Sequence, residues 1–154
     1  MKTDTVIQEK SSVNIGIEKA DRQAVVNMLE ILLSDEHILY IKLRNYHWNV
    51  MGVHFKPLHE FFEAQYTEVA GFIDEIAERI RALGFFTPGS MEAFRENGRL
   101  EETGHLNGDA QKMLENLLLD QEAIIQFLRH DAEIVMNEHN DAGTNDFLVG
   151  LMEA

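Results

Sequence analysis

The sequence predicts an all-α protein folded as a four-helix bundle, and three features of the chain support this. Its 154 residues include only two prolines, Pro57 and Pro88, which leaves long stretches free to form helices. Apolar residues recur at helical spacing through four segments. Turn residues concentrate between those segments. A chain of this length suits one domain with a sizeable core.

The first helix is predicted from about Ala20 to about Val50, with Asp21 near its start, where an acidic side chain suits the helix dipole. Its apolar residues cover more than one face, so the helix must be buried on more than one side. In a chain this small, we expect part of that burial to come from other subunits. The main stripe consists of Val25, Leu29, Leu32, Leu39 and Leu43, and Val26, Met28, Ile31, Leu33, Ile38 and Ile41 lie on other faces.

A turn then reverses the chain, because Gly52 and Pro57 interrupt the helical pattern. The second helix should run antiparallel to the first, with Pro57 in its first turn, and end near Leu83, with Gly84 as its cap. At about 100° per residue, this helix has an apolar arc about 120° wide and, opposite it, a polar arc about 100° wide. The polar arc consists of His59, Glu63, Thr67, Ala70, Asp74 and Glu78.

A long connection, 85–108, separates this hairpin from the rest of the chain. Ser90 is predicted to cap a short extra helix within it, and Thr144 to cap a short fourth helix. Residues 1–18 are expected to form a flexible tail, and residues 19–154 a single four-helix domain. The predicted bounds are Met91–Glu96 for the short extra helix, about Asp109 to about Asn137 for the third helix and Asn145–Glu153 for the fourth.

Composition excludes several classes of function. The chain contains no cysteine, which removes disulfides, thiolate zinc sites and cysteine nucleophiles. Its formal net charge of -14 repels nucleic acid and attracts cations, although an acidic surface also serves solubility alone. We find no signal-like or membrane-spanning apolar run. We therefore expect a cytoplasmic protein with no membrane partner.

Two histidines and two carboxylates in and beside the helical hairpin are suited to metal binding. The turn near Val53 should place His47 and His59 side by side, since both are roughly equidistant from it. Asp74 and Glu78 are four residues apart and form a second pair. The pairs lie about 22–28 Å apart along the second helix, at about 1.5 Å per residue. A metal ion, with bonds of about 2.0–2.2 Å, cannot reach both pairs within one chain.

Two copies of the chain can complete the site. If the second helix pairs antiparallel with its own copy, so that position 59 faces about position 76, a two-fold axis passes near residues 67–68. Each of two identical sites then combines the histidines of one chain with the carboxylates of the other. Glu63, one turn from His59, can add a carboxylate. Small residues flank the axis and allow close approach: Ala64, Thr67, Ala70 and Gly71.

Histidine with carboxylate favours Fe(II), Mn(II) or Zn(II) as the metal. An internal di-iron site is not indicated, because Glu102 and His105 form the one Glu-x-x-His pair and lie in a glycine-containing loop. His59 lacks the second histidine of a zinc-protease motif. A helical oligomer with a merely solvated polar arc explains the same pattern without any metal.

The segment HWNVMGVHFKPLHEFFEAQYTEVAGFIDEIAERI resembles the signature of the Dps miniferritins, the DNA-protection-during-starvation family. The later segment DAGTNDFLVGLME resembles the same family's junction between the third and fourth helices. The resemblance covers about residues 20–153 and implies a ferritin-like four-helix subunit in a hollow shell of 12 subunits, built from two-fold dimers. It further implies a ferroxidase centre shared between two chains, with room for two irons. Such a centre oxidises Fe(II) with hydrogen peroxide, or with dioxygen, and ferric mineral is stored inside the shell.

The resemblance also implies roles for particular residues, with Zn or Mn able to substitute for Fe. An ordinary acidic helix junction is the alternative to the implied three-fold pore for iron. The implied residues are His47, His59, Glu63, Asp74 and Glu78 as metal ligands, Trp48 beside the centre, and Glu138, Asp141 and Asp146 along the pore.

A DNA-compacting shell, in which iron oxidation is secondary, is the alternative function. Family members that bind DNA often use a lysine-rich terminal arm. The N-terminal tail of this chain balances Lys2 and Lys10 with Asp4 and Glu9, and the whole chain is acidic. The charge distribution therefore disfavours DNA binding and association with the bacterial nucleoid.

Overall fold

The computed structural model describes residues 13–154. Most of the predicted tail, residues 1–12, lies outside the described residues. Residues 13–18 are not helical, and they lie against the domain. The Arg22 side chain donates a hydrogen bond to the carbonyl of Ile17, and Val13 packs close to Gly84. Val13 and Ile17 of the predicted tail thus contact the bundle.

Five helices account for nearly all of the regular structure in the described part of the chain, which contains no strand. The predicted all-α class, with a short extra helix in the long connection, is therefore confirmed. The helices are α1 Lys19–Asn49, α2 Phe55–Ala82, α3 Met91–Asn97, α4 Ala110–His139 and α5 Ala142–Glu153.

The helical hairpin α1–α2 is antiparallel, as contacts at its two ends show. At one end Arg22 donates to the carbonyl of Leu83 over 2.6 Å, and at the other His47 lies beside His59. α4 also runs antiparallel to α1. Near one end of that pair, Lys42 contacts Asp120 at 2.5 Å, and near the other His139 contacts Asp21 at 2.9 Å. These contacts fix the relative positions of the three long helices.

Local capping chemistry decides where several helices begin and end. Ser90 caps α3 as predicted, since its hydroxyl accepts from the amide of Ala93. Gly84 has a φ of +95°, a conformation that glycine adopts easily just after a helix. The prediction that Thr144 caps the last helix is wrong. Asp141 is the N-cap, because its carboxylate accepts from the Thr144 amide at 2.9 Å, and α5 therefore begins three residues earlier than predicted.

We expected other subunits to bury part of α1, but such burial is not needed to explain the apolar faces of this helix. α1 contacts α2, α3 and α4 within the same chain. These neighbours bury residues on several sides of α1, including Val25, Val26 and Leu33. They also bury the charged side chains of Asp35 and Lys42. The central position of α1 in the bundle therefore accounts for the pattern.

The long connection is held to the bundle by a buried carboxylate. Asp35 is fully buried, and its two oxygens accept from the backbone amides of Arg99 and Leu100 and from the Arg99 side chain. Lys42, also buried, donates to the carbonyl of Glu101. The charged groups of Asp35 and Lys42 are hydrogen-bonded, which reduces the free-energy cost of burying them. These two side chains therefore anchor the connection to the bundle.

Across residues 13–154, no helix is both long enough and apolar enough to cross a membrane.

Candidate metal centre

The histidine pair predicted from the turn is present, and each histidine is held by the backbone of the other. Nδ1 of His47 lies 2.8 Å from the carbonyl oxygen of His59, and Nδ1 of His59 lies 2.8 Å from the carbonyl oxygen of His47. The two rings stack with centroids 3.7 Å apart and planes inclined by 20°. This reciprocal arrangement joins the last turn of α1 to the first turns of α2.

The reciprocal bonds fix the tautomer of both rings in their neutral form. A carbonyl oxygen only accepts hydrogen bonds, so each Nδ1 must carry the proton. In the neutral imidazole the other nitrogen, Nε2, then keeps its lone pair. Within residues 13–154 no protein group is hydrogen-bonded to Nε2 of His47 or of His59. A backbone bond to one nitrogen and a lone pair on the other is the usual state of a metal-binding histidine.

Aromatic neighbours enclose the pair. Phe55 stacks on the ring of His59 with centroids 5.1 Å apart, and Tyr66 meets the ring of His47 edge-on at 5.3 Å. His47 is 8% exposed, and His59 is half-buried. The histidines are thus rigid and partly shielded from solvent before any ligand arrives, which lowers the cost of ordering them on binding.

The three carboxylates proposed as ligands lie on the exposed polar arc of α2. Glu63, Asp74 and Glu78 are all exposed. None of their side chains forms an ion pair or hydrogen bond with another described residue. Thr67 does bond to the backbone carbonyl of Glu63, but this leaves the Glu63 carboxylate free. All three carboxylates are thus available for a ligand or a partner chain.

No three His, Asp or Glu side chains come together as a metal site anywhere between residues 13 and 154. The histidine pair supplies only two donors, and the Asp74–Glu78 pair only two more. The two predicted ligand pairs therefore lie apart in the described chain, as the helical rise along α2 requires.

Arg44 and Tyr66 form a cluster with Trp48, the residue that the resemblance placed beside the centre, and the sequence did not reveal these two partners. Trp48 is 63% exposed, and the guanidinium of Arg44 lies 5.0 Å from its ring centre. The same guanidinium lies 4.7 Å from the ring of Tyr66, the residue that touches His47. Arg44 also donates to the hydroxyl of Tyr40 at 2.8 Å. Tyr66 follows His59 by two helical turns, and this spacing was the one signal in the sequence that Tyr66 lies on the same side of α2 as the histidine pair.

The three acids assigned to a pore differ in their surroundings. Glu138 and Asp146 are exposed. Asp141 is 2% exposed, and its carboxylate is bonded to Thr144 and to the Arg79 guanidinium, 3.2 Å away. Asp141 therefore organises the α4–α5 junction, while Glu138 and Asp146 present free carboxylates near it.

Comparison with known proteins agrees with this fold and arrangement of residues. The family described as "Ferritin: Ferritin-like domain" matches residues 26–154. The solved structure of the DPS protein from Vibrio cholerae O1 superposes with a TM-score of 0.87 at 26% identity, covering 95% of this chain and 91% of that one. That protein is described as a member of a broad superfamily of ferritin-like diiron-carboxylate proteins. The chain thus has the ferritin-like fold.

Two curated relatives bear on which family within the ferritin-like fold this chain belongs to. "DNA protection during starvation protein 2" of Bacillus anthracis is 38% identical over 82% of this chain and 86% of its own length. A low temperature-induced protein of Nostoc sp. is 41% identical over 92% of this chain and 79% of its own length. Within the ferritin-like fold, the chain belongs to the Dps miniferritin family.

Proposed function

We propose that this chain is an iron-oxidising and iron-storing miniferritin that protects against oxidative damage. The observation that carries the proposal is the reciprocal histidine pair, which presents two Nε2 lone pairs from a rigid position. Imidazole and carboxylate together suit Fe(II). The relationship to a ferritin-like diiron-carboxylate protein supports iron as the substrate metal.

The proposed site lies between two subunits. One chain supplies His47, His59 and Glu63, and its partner supplies the carboxylates of Asp74 and Glu78. An antiparallel contact between the two α2 helices, with its axis near residues 67–68, brings these groups together twice. We expect six such dimers to close a shell of about 12 subunits, with Glu138 and Asp146 beside the pores through which iron enters.

The chemistry follows from holding two substrate ions together. Two Fe(II) ions give two electrons to one molecule of hydrogen peroxide, which takes up two protons and leaves as two molecules of water. A single Fe(II) would give one electron and release a hydroxyl radical. The histidines fix the position of the ions, and the carboxylates offset their charge. Dioxygen is the alternative oxidant. Zn or Mn would be able to take the place of Fe, and Zn would not undergo this reaction because it has no redox chemistry.

A subunit-mixing experiment tests the shared site. His59→Ala removes one half of each site, and the double substitution Asp74→Ala with Glu78→Ala removes the other half. Each homo-oligomer should lose peroxide-driven Fe(II) oxidation, followed by ferric absorbance. Co-refolding equal amounts should restore about a quarter of the wild-type sites, because half of randomly formed dimers are mixed and each mixed dimer has one intact site.

The control for this experiment is His105→Ala, which changes an exposed histidine in the long connection and should retain full activity. If mixing restores nothing although mixed oligomers form, the ligands do not come from two chains. If His59→Ala oxidises iron as fast as the wild type, the histidine pair is not the site.

A low-salt gel-shift assay distinguishes the proposal from the DNA-compacting alternative. Because the chain is acidic, we expect that the shell will not retard DNA, with or without Mg(II) as a bridge. Retardation that persists in the His59→Ala variant would support a DNA role independent of iron. We expect a cytoplasmic, iron-centred role.

A further inference from the structure

A positively charged side chain lies close to the proposed metal centre. The guanidinium carbon of Arg44 is 4.7 Å from the ring centre of Tyr66, and the Tyr66 ring lies 5.3 Å from that of His47. Adding these two distances puts the charge at most about 10 Å from the centre of the His47 ring. Arginine remains protonated in proteins. A site suited to cations therefore has a permanent positive charge beside it.

Aromatic rings hold this guanidinium in place. Its carbon atom lies 5.0 Å from the ring centre of Trp48 and 5.6 Å from that of Tyr40, and Arg44 donates a hydrogen bond to the Tyr40 hydroxyl. The face of an aromatic ring attracts a cation, but the ring carries no net charge. Tyr40, Trp48 and Tyr66 therefore fix the position of the guanidinium without cancelling its charge.

No carboxylate neutralises Arg44 within residues 13–154. Its hydrogen bond in this part of the chain is to the neutral Tyr40 hydroxyl, and its buried Nε atom has no partner there. Other basic side chains that are buried or half-buried do have an acidic partner: Lys42 contacts Asp120, and Arg79 contacts Asp141. The positive charge of Arg44 consequently acts on the nearby histidine pair and opposes the binding of cations.

This charge opposes the product of the proposed reaction more than its substrate. The Coulomb energy is proportional to the charge of the ion, so Fe(III) is repelled more strongly than Fe(II). In a medium as polar as water, with the weak screening of about 10 mM salt, a unit charge about 10 Å away weakens binding about threefold for a divalent ion and about fivefold for a trivalent ion.

We propose that Arg44 speeds the release of ferric product from the metal centre by repelling it. The aromatic neighbours hold the guanidinium beside the site and leave its charge unneutralised. This inference rests on the proposed iron oxidation: the histidines and carboxylates bind Fe(II), and Arg44 keeps the affinity for Fe(III) low enough for the ion to leave. The emptied site then accepts the next pair of Fe(II) ions.

Equilibrium binding of Co(II) to the assembled full-length protein tests the electrostatic effect without any oxidation. Co(II) accepts imidazole and carboxylate ligands and is followed by visible absorbance. Arg44→Met removes the charge and keeps a long side chain against the rings, so it should tighten Co(II) binding about threefold in about 10 mM salt. The difference should disappear near about 1 M salt. Arg44→Lys keeps the charge and should bind Co(II) within about twofold of wild type.

Arg129→Met is the matched control, because it removes one positive charge from an exposed residue of α4. Position 129 lies about 20 Å along α4 from Asn116, which contacts Tyr46, the neighbour of His47 in the chain. Arg129→Met should bind Co(II) as wild type does. Equal tightening in Arg129→Met and Arg44→Met would contradict the proposal, because the effect would then come from the net charge of the assembly.

Stopped-flow oxidation of Fe(II) by peroxide tests the release step. Two successive portions of Fe(II), each of two ions per site, are added to the same sample. If release is slower without the charge, the rate for the second portion relative to the first should fall about fivefold in Arg44→Met. Arg44→Lys should keep the wild-type ratio.

Two results would overturn the proposed role of Arg44 while the metal centre itself stands. One is an unchanged Co(II) affinity and an unchanged ratio of rates in Arg44→Met. The other is weaker Co(II) binding with a loss of dimers in both Arg44→Met and Arg44→Gln, because Arg44 would then pair with a carboxylate across the subunit contact. Equal Co(II) binding by wild type and His59→Ala would instead reject the proposed centre, and this role of Arg44 with it.

Discussion

At the residue scale, the histidine pair shows how backbone geometry selects a side-chain state. The turn between α1 and α2 brings the carbonyl of each histidine within 2.8 Å of the Nδ1 atom of the other. Sequence spacing predicted that His47 and His59 are neighbours, because both are equally far from the turn. It did not predict which atoms bond, since that depends on the register of two packed helices.

Glu36 gives a prediction about pH at the same scale. Burial, and secondarily the neighbouring Asp35, raise its pKa to about 8 in the folded chain from the ordinary value of 4.5. Between these values the folded state holds a proton that the unfolded state has released, so this group makes the free energy of unfolding fall as pH rises. Glu36→Gln removes the proton exchange. The variant should therefore gain stability relative to wild type from about pH 5 to about pH 8.

The measurement is the urea midpoint of both proteins at several pH values. Each pKa unit corresponds to about 1.4 kcal/mol, so a gain of a few kcal/mol across this range is expected. Asp35→Asn would be a poor control, because Asp35 anchors the long connection. Glu68→Gln, the same substitution at an exposed residue of α2, is the matched control. A constant difference between wild type and Glu36→Gln at every pH would contradict the expected ionisation.

At the element scale, helix positions were predicted well where local signals decide them. The hydrophobic spacing and the Ser90 cap placed four helices and the short α3 close to their observed bounds. The start of α5 was missed because Asp141 and Thr144 are both residue types that cap helices, and the sequence did not show that Asp141 is the one that does. The carboxylate of Asp141 is held by Arg79, 62 positions earlier in the chain, and sequence spacing does not show that interaction.

The junction between α4 and α5 carries the second prediction. Asp141→Ala removes the cap of α5 and leaves the side chains of Thr144 and Arg79 without their buried acceptor. The loss should lower the free energy of unfolding by about 2–4 kcal/mol. Thermal denaturation followed by circular dichroism measures it. Asp146→Ala, at an exposed residue in the same helix, should change stability by less than about 0.5 kcal/mol.

The same pair of variants separates a structural role from a role in iron transport. If Asp146 lies beside a pore, Asp146→Ala should slow iron uptake while leaving the melting temperature unchanged. An Asp141→Ala protein that melts like the wild type would show that the cap does not hold α5 in place.

At the scale of the whole molecule, the described chain keeps the two predicted ligand pairs apart and has an exposed polar face on α2. Residues 64, 67, 70, 71 and 74 are all exposed, and four of these five are small. A Cβ atom added at Gly71 would meet nothing within 4 Å. The single chain gives no packing reason for small residues here. The proposed close approach of a second α2 helix would supply one, and the same approach would bring Asp74 to the histidines of the partner.

Ala70→Arg should therefore separate assembly from folding. Ala70 is exposed, so a long charged side chain should leave the thermal stability of the isolated chain within about 0.5 kcal/mol. Between two α2 helices it would both obstruct the contact and place two like charges near the axis. Analytical ultracentrifugation should show a loss of dimers and larger oligomers, and peroxide-driven Fe(II) oxidation should fall by at least about a hundredfold, because no site is complete.

Gln126→Arg, on the exposed side of α4, is the control and should retain both assembly and activity. A folded, monomeric Ala70→Arg protein that still oxidises iron at the wild-type rate would show that one chain suffices, and the shared site would have to be abandoned.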